Sequence, residues 1–305
     1  MVNNTENKPG RLGVGIIGAG RVGAVLGSAL RAAGHAVIGV SALSEASHDR
    51  ADALLPGVPV LEPQQIVERA ELVLVTVPDD VIGSVVQGLA DLGAWQPGQI
   101  VVHTSGAHGL DVLAPARAKG AIPIAIHPAM TFTGTSLDLG RIEGATFAVT
   151  APAPVLPIGQ ALVVELGGEP VVLEDAQRGL YHAALAHGAN HLVVLVAQAA
   201  QLLEKAGIPN PGQAISPLLY AALEGALAGA DGTSDPIATL TGPVVRGDSG
   251  TVKKHVQELE SFAVSERATD IVESYRALGR AATVRAMNLG RITEKQAQEL
   301  LDSFE

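Results

Sequence analysis

The sequence predicts an α/β protein in two parts, a doubly wound, mostly parallel sheet in the N-terminal half and an all-helical C-terminal half. Three observations predict it. Short β-branched runs alternate with helical patterns from residue 13 to about 173, the signature of a parallel sheet with crossover helices. A glycine-rich turn follows the first of these runs. Beyond Glu174 the strand signal stops, and Ala- and Leu-rich helical patterns continue to the C-terminus. At about 150 residues per domain, a chain of 305 residues accommodates two domains, here set at 12–175 and 176–305 after a polar, Asn-rich tail over 1–11 that is expected to be disordered.

Composition narrows the classes of function. With 20 basic and 31 acidic residues the net charge is −11, which argues against a phosphate-backbone or anionic-membrane surface. Aromatic residues are 3% of the chain, too few for a platform on which bases stack. The chain has no cysteine, so disulfides, thiolate nucleophiles and Cys-ligated metals are excluded, and a cytoplasmic setting is expected. The apolar run 192–203 is shorter than the roughly 20 residues that a membrane span needs. It carries Gln198 and Gln201 and follows Asn190 and His191, and is read as a buried helix.

The elements follow in order. Strands are expected at 14–17, 36–40, 72–77, 100–103, 123–126, 146–149 and 170–173. Between the first two, Val22, Val25, Leu26, Ala29, Leu30 and Ala33 recur at spacings of three and four, one stripe of an amphipathic helix. The helical half reads as 176–206, 212–228, 251–263, 268–289 and 293–304, the last opened by Thr293 with Gln296 as a capping box. Residues 231–250 form its longest Gly-, Pro- and Asp-rich interruption.

The turn after the first strand is Gly18-Ala-Gly20-Arg21-Val22-Gly23. Gly18 permits the tight turn, Gly20 lets the backbone approach a pyrophosphate, and Gly23 lets helix and strand pack closely, while the positive end of the helix faces the phosphates. Lying between an expected strand and an expected helix, it marks a Rossmann-type dinucleotide site. An NAD-preferring site places Asp or Glu at the end of the second strand, where this chain has Ser41-Ala-Leu-Ser44. The missing acid favours NADP over NAD, with Ser41 and Ser44 either donating to a 2′-phosphate or capping the loop; Arg21 and Arg50 are the nearest cations. Val77, Pro78 and Ser105, at the ends of the third and fourth strands, are expected to line the ribose and nicotinamide side, since ligands of such sheets lie outside the carboxyl ends of the strands. Asp79 and Asp80 can contact ligand or cap the next helix.

Several segments together carry a family resemblance: GAGRVG, TVPDD, HTSGA, HPAMTF, Tyr181-His182-Ala-Ala and LTGPVVRGD. They resemble a bacterial family of Rossmann-like oxidoreductases with a helical C-terminal domain of unknown function. That family is distantly similar to pyrroline-5-carboxylate reductase, ketopantoate reductase and the 3-hydroxyisobutyrate/6-phosphogluconate dehydrogenases. The resemblance implies NADP or NAD binding and a homodimer formed through the helical domain, and it supplies no substrate. The dehydrogenase relatives carry a Lys four residues before an Asn on the long interdomain helix. Asn190 matches that Asn, but Ala186 stands at the Lys position.

Hydride transfer to C=O or C=N needs a proton donor beside the acceptor atom and an anchor for any carboxylate. Six of the nine histidines fall between His103 and His191. His182 lies near the start of the expected interdomain helix, and His187, Asn190 and His191 share neighbouring faces, at spacings of three and four, that such a helix would present to an inter-domain cleft. His127, after a strand and before Pro128, is either a turn residue or a cleft group. His187 and His191 have an i, i+4 spacing but no third ligand is identifiable, so no metal is expected. Arg246 is the candidate anchor for a small anionic substrate, its fork suited to a carboxylate, or else it pairs with Asp248 to shape a loop. Ser105 and Thr131 can bond substrate or nicotinamide, or cap helices. The leading expectation is NADP(H)-dependent reduction of a small carboxylated ketone or imine, ketopantoate-like or pyrroline-carboxylate-like; the alternative is a dinucleotide-binding sensor or partner protein without turnover.

Overall fold

The computed structural model describes residues 11–305; the expected tail at 1–11 lies, but for Arg11, outside them. Seven strands form one sheet: β1 (Gly13–Ile17), β2 (Ala36–Ser41), β3 (Leu72–Val75), β4 (Ile100–His103), β5 (Ile122–Pro128), β6 (Thr146–Thr150) and β7 (Glu169–Val172). They are ordered β2-β1-β3-β4-β5-β6-β7. All neighbours are parallel except β5 and β6. A single parallel bridge pairs Val60 with Val40 on the outer side of β2, where Val40 donates to the Pro59 carbonyl and accepts from the Leu61 amide. It occupies the place of the third strand in a dinucleotide-binding sheet of order 3-2-1-4-5-6. One bridge has no run of alternating apolar residues to announce it, and sequence patterning passed it over.

Side chains alternate across the buried strands and build one apolar cluster on each face. Val14, Ile16, Leu72, Leu74, Ile100, Val102, Ile124 and Phe147 pack against α1 (Arg21–Ala32) and against residues of α2 (Glu45–Leu54). The short α3 (Pro63–Val67) closes over Gly15, where an added methyl would overlap Ile66. On the other face Ile17, Val73, Val75 and Val101 pack with α4 (Asp79–Asp91), α5 (Ala114–Ala118) and Trp95, whose Nε1 donates to the Val86 carbonyl at 3.0 Å.

The antiparallel pairing of β6 has a consequence for position. A parallel successor to β5 would require its connection to cross to the opposite end of the sheet. Running antiparallel, β6 keeps the connecting segment, including α6 (Leu137–Ile142), at the carboxyl end of β5. The fully buried Asp138 organises that segment by accepting from the Thr133 and Gly134 amides at 2.8 Å and from the Thr133 hydroxyl at 2.9 Å. Burial alone would raise its pKa, but these hydrogen bonds outweigh it and hold the carboxyl below its usual value. α7 (Leu156–Glu165) crosses to β7.

Beyond β7 the expected helix 176–206 is divided into α8 (Arg178–Leu185), a π-helical turn (Ala186–Asn190) and α9 (His191–Lys205). The chain separates into two compact units at Asn190/His191, further along than the change in composition near residue 175, so that α8 and the π turn belong with the sheet. The second unit contains α9, α10 (Pro211–Ala228), α11 (Ser249–Glu266), α12 (Thr269–Asn288) and α13 (Glu294–Asp302). Its core is Val252, Val256, Ala286, Ile292, Ala297, Leu300 and Phe304. The expected capping box is present, Thr293 accepting from the Gln296 amide.

One expectation is overturned. The run 192–203 is not a buried helix: of α9 only Gln198 is buried, and Val193 is 68% exposed. Hydrophobicity records that a surface wants covering, not whether the same chain covers it. Among the described residues, Asp175–Lys205 is the one helical run long and apolar enough, by length and composition, to cross a membrane.

Phe147, fully buried in β6, tests the sheet core. Phe147→Ala should lower unfolding free energy by about 3–5 kcal/mol, read as a lower urea midpoint at unchanged slope.

Candidate functional site

Parallel pairing of β1, β3, β4 and β5 brings the turns after them to one edge of the sheet. After β1, Gly18 adopts φ +102° and Gly20 caps α1 with no side-chain hydrogen bond, and α1 has no acid in its first turn. A methyl on Gly23 would overlap the Gly18 carbonyl and the Thr76 hydroxyl, so only glycine permits this approach of helix to strand. The helix therefore offers backbone N–H groups that no side chain among the described residues caps, the arrangement that holds a dinucleotide's phosphates. Val77 lies against Gly18 and Pro78 caps α4. Val22 packs on the core, while Arg21 is exposed at the helix start.

Ser41 and Ser44 have structural work. The Gly18 amide donates to the Ser41 hydroxyl at 2.9 Å and the Ala19 amide to its carbonyl at 2.8 Å, so the end of β2 holds the turn. Ser44 caps α2 in a reciprocal box with Ser47. Of the two readings left open for these serines, the geometry displays the capping one. Arg50 instead reaches the turn: its Nε donates to the Ala19 carbonyl at 3.2 Å. Gly134, on the β5–β6 connection, sits so that a Cβ there would lie 2.9 Å from Arg21 Cγ and 3.0 Å from Arg50 Cδ. Both cations thus flank the phosphate turn.

Ser105 is likewise committed. Its hydroxyl donates to Asp79 Oδ2 at 2.6 Å and accepts from the Ala107 and His108 amides. The buried His103 finishes this loop, Nε2 bonding the Gly109 carbonyl at 2.9 Å and Nδ1 accepting from the Ser105 amide at 3.2 Å. The Ser105 and His103 side chains are used up in shaping the turn, and the buried Gly106 packs against two rings. A Cβ on Gly106 would stand 2.7 Å from His182 Cδ2 and 2.9 Å from His127 Nε2.

Beside it lies a cavity of about 430 Å³ lined by His127, Ala129, Met130, Thr131, His182, Leu185, Ala186, Ala189 and Asn190. The π turn places Ala186, Ala189 and Asn190 on its wall, an irregularity of the kind that marks functional helices. The structure thus brings together His127, His182 and Asn190, with the rings of His127 and His182 6.1 Å apart, and Thr131 beside them. His187, exposed on the same turn, does not line the cavity. Arg246 belongs to the other unit, exposed at the end of a 3₁₀ turn, and Asp248 caps α11 through Thr251; among the described residues the two form no ion pair within 4.0 Å. Among those residues, too, no three His, Cys, Asp or Glu side chains converge as a metal site requires.

Two further residues complete the site: Tyr181, which the sequence reading named only within a family motif, and Arg178, which it did not name. Tyr181 Oη lies 2.9 Å from His127 Nδ1. Arg178, fully buried, donates from one Nη to the Ser105 carbonyl at 2.6 Å and from the other to the Thr150 hydroxyl at 2.8 Å. Burial, joined by the nearby charges of Arg178 and His182 against that of Asp79, lowers the His127 pKa to about 4. Burial also brings His103 to about 4, with the Gly109 bond opposing and Arg178 adding to the fall. Tyr181 moves the other way, raised by burial despite the opposing pull of Arg178. At neutral pH the site therefore holds a neutral imidazole against a protonated phenol. The Tyr181 signal, a Tyr three residues after an Arg on one helix face, is visible in sequence only once the helix is known to lie under the cavity.

Because His103 and His127 are harder to protonate folded than unfolded, their contribution to stability is complete above about pH 6.5 and is lost as pH falls towards 4, at up to about 1.4 kcal/mol per pH unit for each. Urea unfolding followed from pH 7.5 to 4.5 should show this decline, and His127→Gln should lessen its slope.

Comparison with known proteins agrees with this geometry. A family model for a Rossmann-like domain matches residues 1–128, and one for a domain of unknown function, DUF2520, matches residues 145–282. No curated protein sequence matches the chain. Among solved structures, a Bacteroides fragilis protein described as an NADP oxidoreductase is 20% identical, with a TM-score of 0.69 over 90% of this chain and 98% of that one. An imine reductase from Myxococcus stipitatus in complex with NADP+ is 16% identical, with a TM-score of 0.64 over 96% and 99%. A pyrroline-5-carboxylate reductase from Coxiella burnetii is 15% identical, with a TM-score of 0.55 over 92% and 99%. At these identities the likeness is one of fold. The dinucleotide turn and the sheet order agree with the match of residues 1–128 to a Rossmann-like domain, and residues 145–282 are similar to the DUF2520 domain.

Proposed function

We propose that the protein is an NADP(H)-dependent oxidoreductase that reduces a small carboxylated ketone or imine, ketopantoate-like or pyrroline-carboxylate-like. The observation that carries this reading is the common edge of the sheet, which holds an uncapped helix N-terminus behind a Gly18–Gly23 turn and a cavity walled by His127, His182 and Asn190. The residues fit the cofactor. Backbone amides at the start of α1 would hold the pyrophosphate, and Arg21 and Arg50, rather than Ser41 and Ser44, would favour a 2′-phosphate. The nicotinamide, when bound, supplies the hydride.

The chain's own part is binding and proton delivery. Reduction of C=O or C=N leaves negative charge or a basic lone pair on the acceptor oxygen or nitrogen, and that atom needs a proton. Tyr181 Oη–H, hydrogen-bonded to neutral His127 Nδ1, keeps a proton available through that ring. His182 and the Asn190 amide, on the cavity wall, orient the substrate's polar end. With Ala186 where the dehydrogenase relatives carry Lys, the proton comes from this Tyr–His pair. The cysteine-free chain supports a cytoplasmic setting for the proposed activity.

We further propose a homodimer through the helical unit. Val193 and Val194 on α9 and Leu218, Tyr220 and Leu227 on α10 stand between 48% and 71% exposed, an apolar surface that a second copy would cover. A dinucleotide-binding protein without turnover is the second reading, favoured by Ala186.

Calorimetric titration should give NADPH binding at least about tenfold tighter than NADH, with Arg50→Ala losing most of that preference. Binding of neither by folded protein would sink the reading. In assays of NADPH oxidation with 2-oxoacids and cyclic imines, Tyr181→Phe should lower kcat by about 10²-fold or more with KM little changed. Tight NADPH binding with no turnover across the panel would instead support the second reading. Sedimentation should give twice the 31.1 kDa chain mass, reduced to one by Val193→Lys with Leu218→Lys.

A further inference from the structure

Arg178 is the least expected residue in the sheet unit. Its guanidinium is fully buried, and among the described residues its Nε has no hydrogen-bond partner and no carboxylate lies within ion-pair distance of it. Taking a cation out of water without a direct counter-ion costs several kcal/mol, so stability alone does not account for it. Its two Nη groups bond the Ser105 carbonyl, in the turn after β4, and the Thr150 hydroxyl, at the end of β6; Thr150 in turn donates to the Leu173 carbonyl at 2.6 Å. The guanidinium therefore ties three segments together directly beneath the turn that presents Gly106.

We propose that Arg178 is a positioning residue for the His127–Tyr181 pair: it clamps the Ser105 carbonyl so that the Gly106 backbone stands fixed against the His127 and His182 rings, and its charge orients the shared hydrogen bond with Tyr181 donating to His127 Nδ1. The arrangement leaves His127 Nε2–H at the Gly106 side, the only ring proton of a neutral imidazole whose other nitrogen accepts. The planar fork matters as much as the charge. A lysine can supply the charge, but a single ammonium cannot hold the carbonyl and the hydroxyl in one plane.

The groups that bear on His127 are Arg178 and Tyr181 from α8, His182 from the same helix, and Asp79 from the start of α4. Arg178 and His182 disfavour a charged imidazole and Asp79 favours it, with burial acting in the same sense as Arg178. Removing the guanidinium takes away the permanent positive charge beside His127 while leaving Asp79 in place, so His127 should become easier to protonate. His35, which accepts from the Leu12 amide and bonds Glu165 at 2.7 Å, has no contact with this network and serves as an internal control. The consequence for turnover rests on the reductase reading above; the consequences for the ring and the loop do not.

The test uses the full chain, with histidine nitrogen-15 shifts read against pH and amide hydrogen exchange read over 103–109. Wild type should show His127 neutral as the Nε2–H tautomer down to about pH 5. In Arg178→Met the His127 midpoint should rise by about one pH unit or more while that of His35 stays put. In Arg178→Lys the midpoint should stay low while exchange over 103–109 accelerates about tenfold or more, and Thr150→Val should accelerate it to a lesser degree. An unmoved His127 midpoint in Arg178→Met, an Nδ1–H tautomer in wild type, or loop exchange unchanged in Arg178→Lys would overturn the proposal. Should Arg178→Met not fold, Arg178→Lys and Thr150→Val decide it through the exchange readout. A wild-type protein that turns nothing over counts against the reductase reading alone, since neither readout uses turnover.

Discussion

Parallel pairing of β1, β3, β4 and β5 is the constraint on which the rest of the sheet unit depends. Parallel strands in register send every succeeding turn to the same edge, so the phosphate turn, the helix start at Pro78, the 103–109 loop and the cavity after β5 become neighbours. The antiparallel β6 then keeps the Asp138-organised segment at that edge, where Gly134 meets Arg21 and Arg50. Reversing one strand adds a wall to the site without adding a crossover.

Polar groups at this edge divide by whether the fold has already used them. Ser41, Ser44, Ser105 and His103 are hydrogen-bonded into the turns they shape. Buried polar groups must find partners, and in a turn with few side chains the nearest backbone amides claim them first. The polar groups left on the cavity wall are His127, whose ring partner is Tyr181, and His182 and Asn190. Burial of the Arg178 cation beneath them puts its charge in a low-dielectric setting, where it acts on several titrating groups at once.

The helical unit follows different economics. Its core is small and gathered between α11, α12 and α13, while α9 and α10 leave apolar side chains outside. The same residues that made 192–203 read as interior are therefore surface in the single chain. Burial by another copy and burial by one's own chain require the same side chains, and hydrophobic patterning cannot distinguish them.

The sequence by itself determined the alternation of elements, the strand positions within a residue or two, the Gly18–Gly23 turn and the Thr293–Gln296 cap, because each is local: a period of side chains, a backbone angle that glycine relieves, a cap three residues from its partner. It also brought His127, His182 and Asn190 forward as candidates through residue type and family likeness. Tertiary structure alone decided the rest. It decided that Ser41 and Ser105 serve their turns, that Val60 stands in for a strand, that His187 faces away from the cavity that Asn190 lines, and that Arg178 and Tyr181 belong to the site. Those outcomes depend on contacts between segments from 20 to 73 residues apart in sequence, and no local pattern encodes which distant carbonyl or ring a side chain will meet.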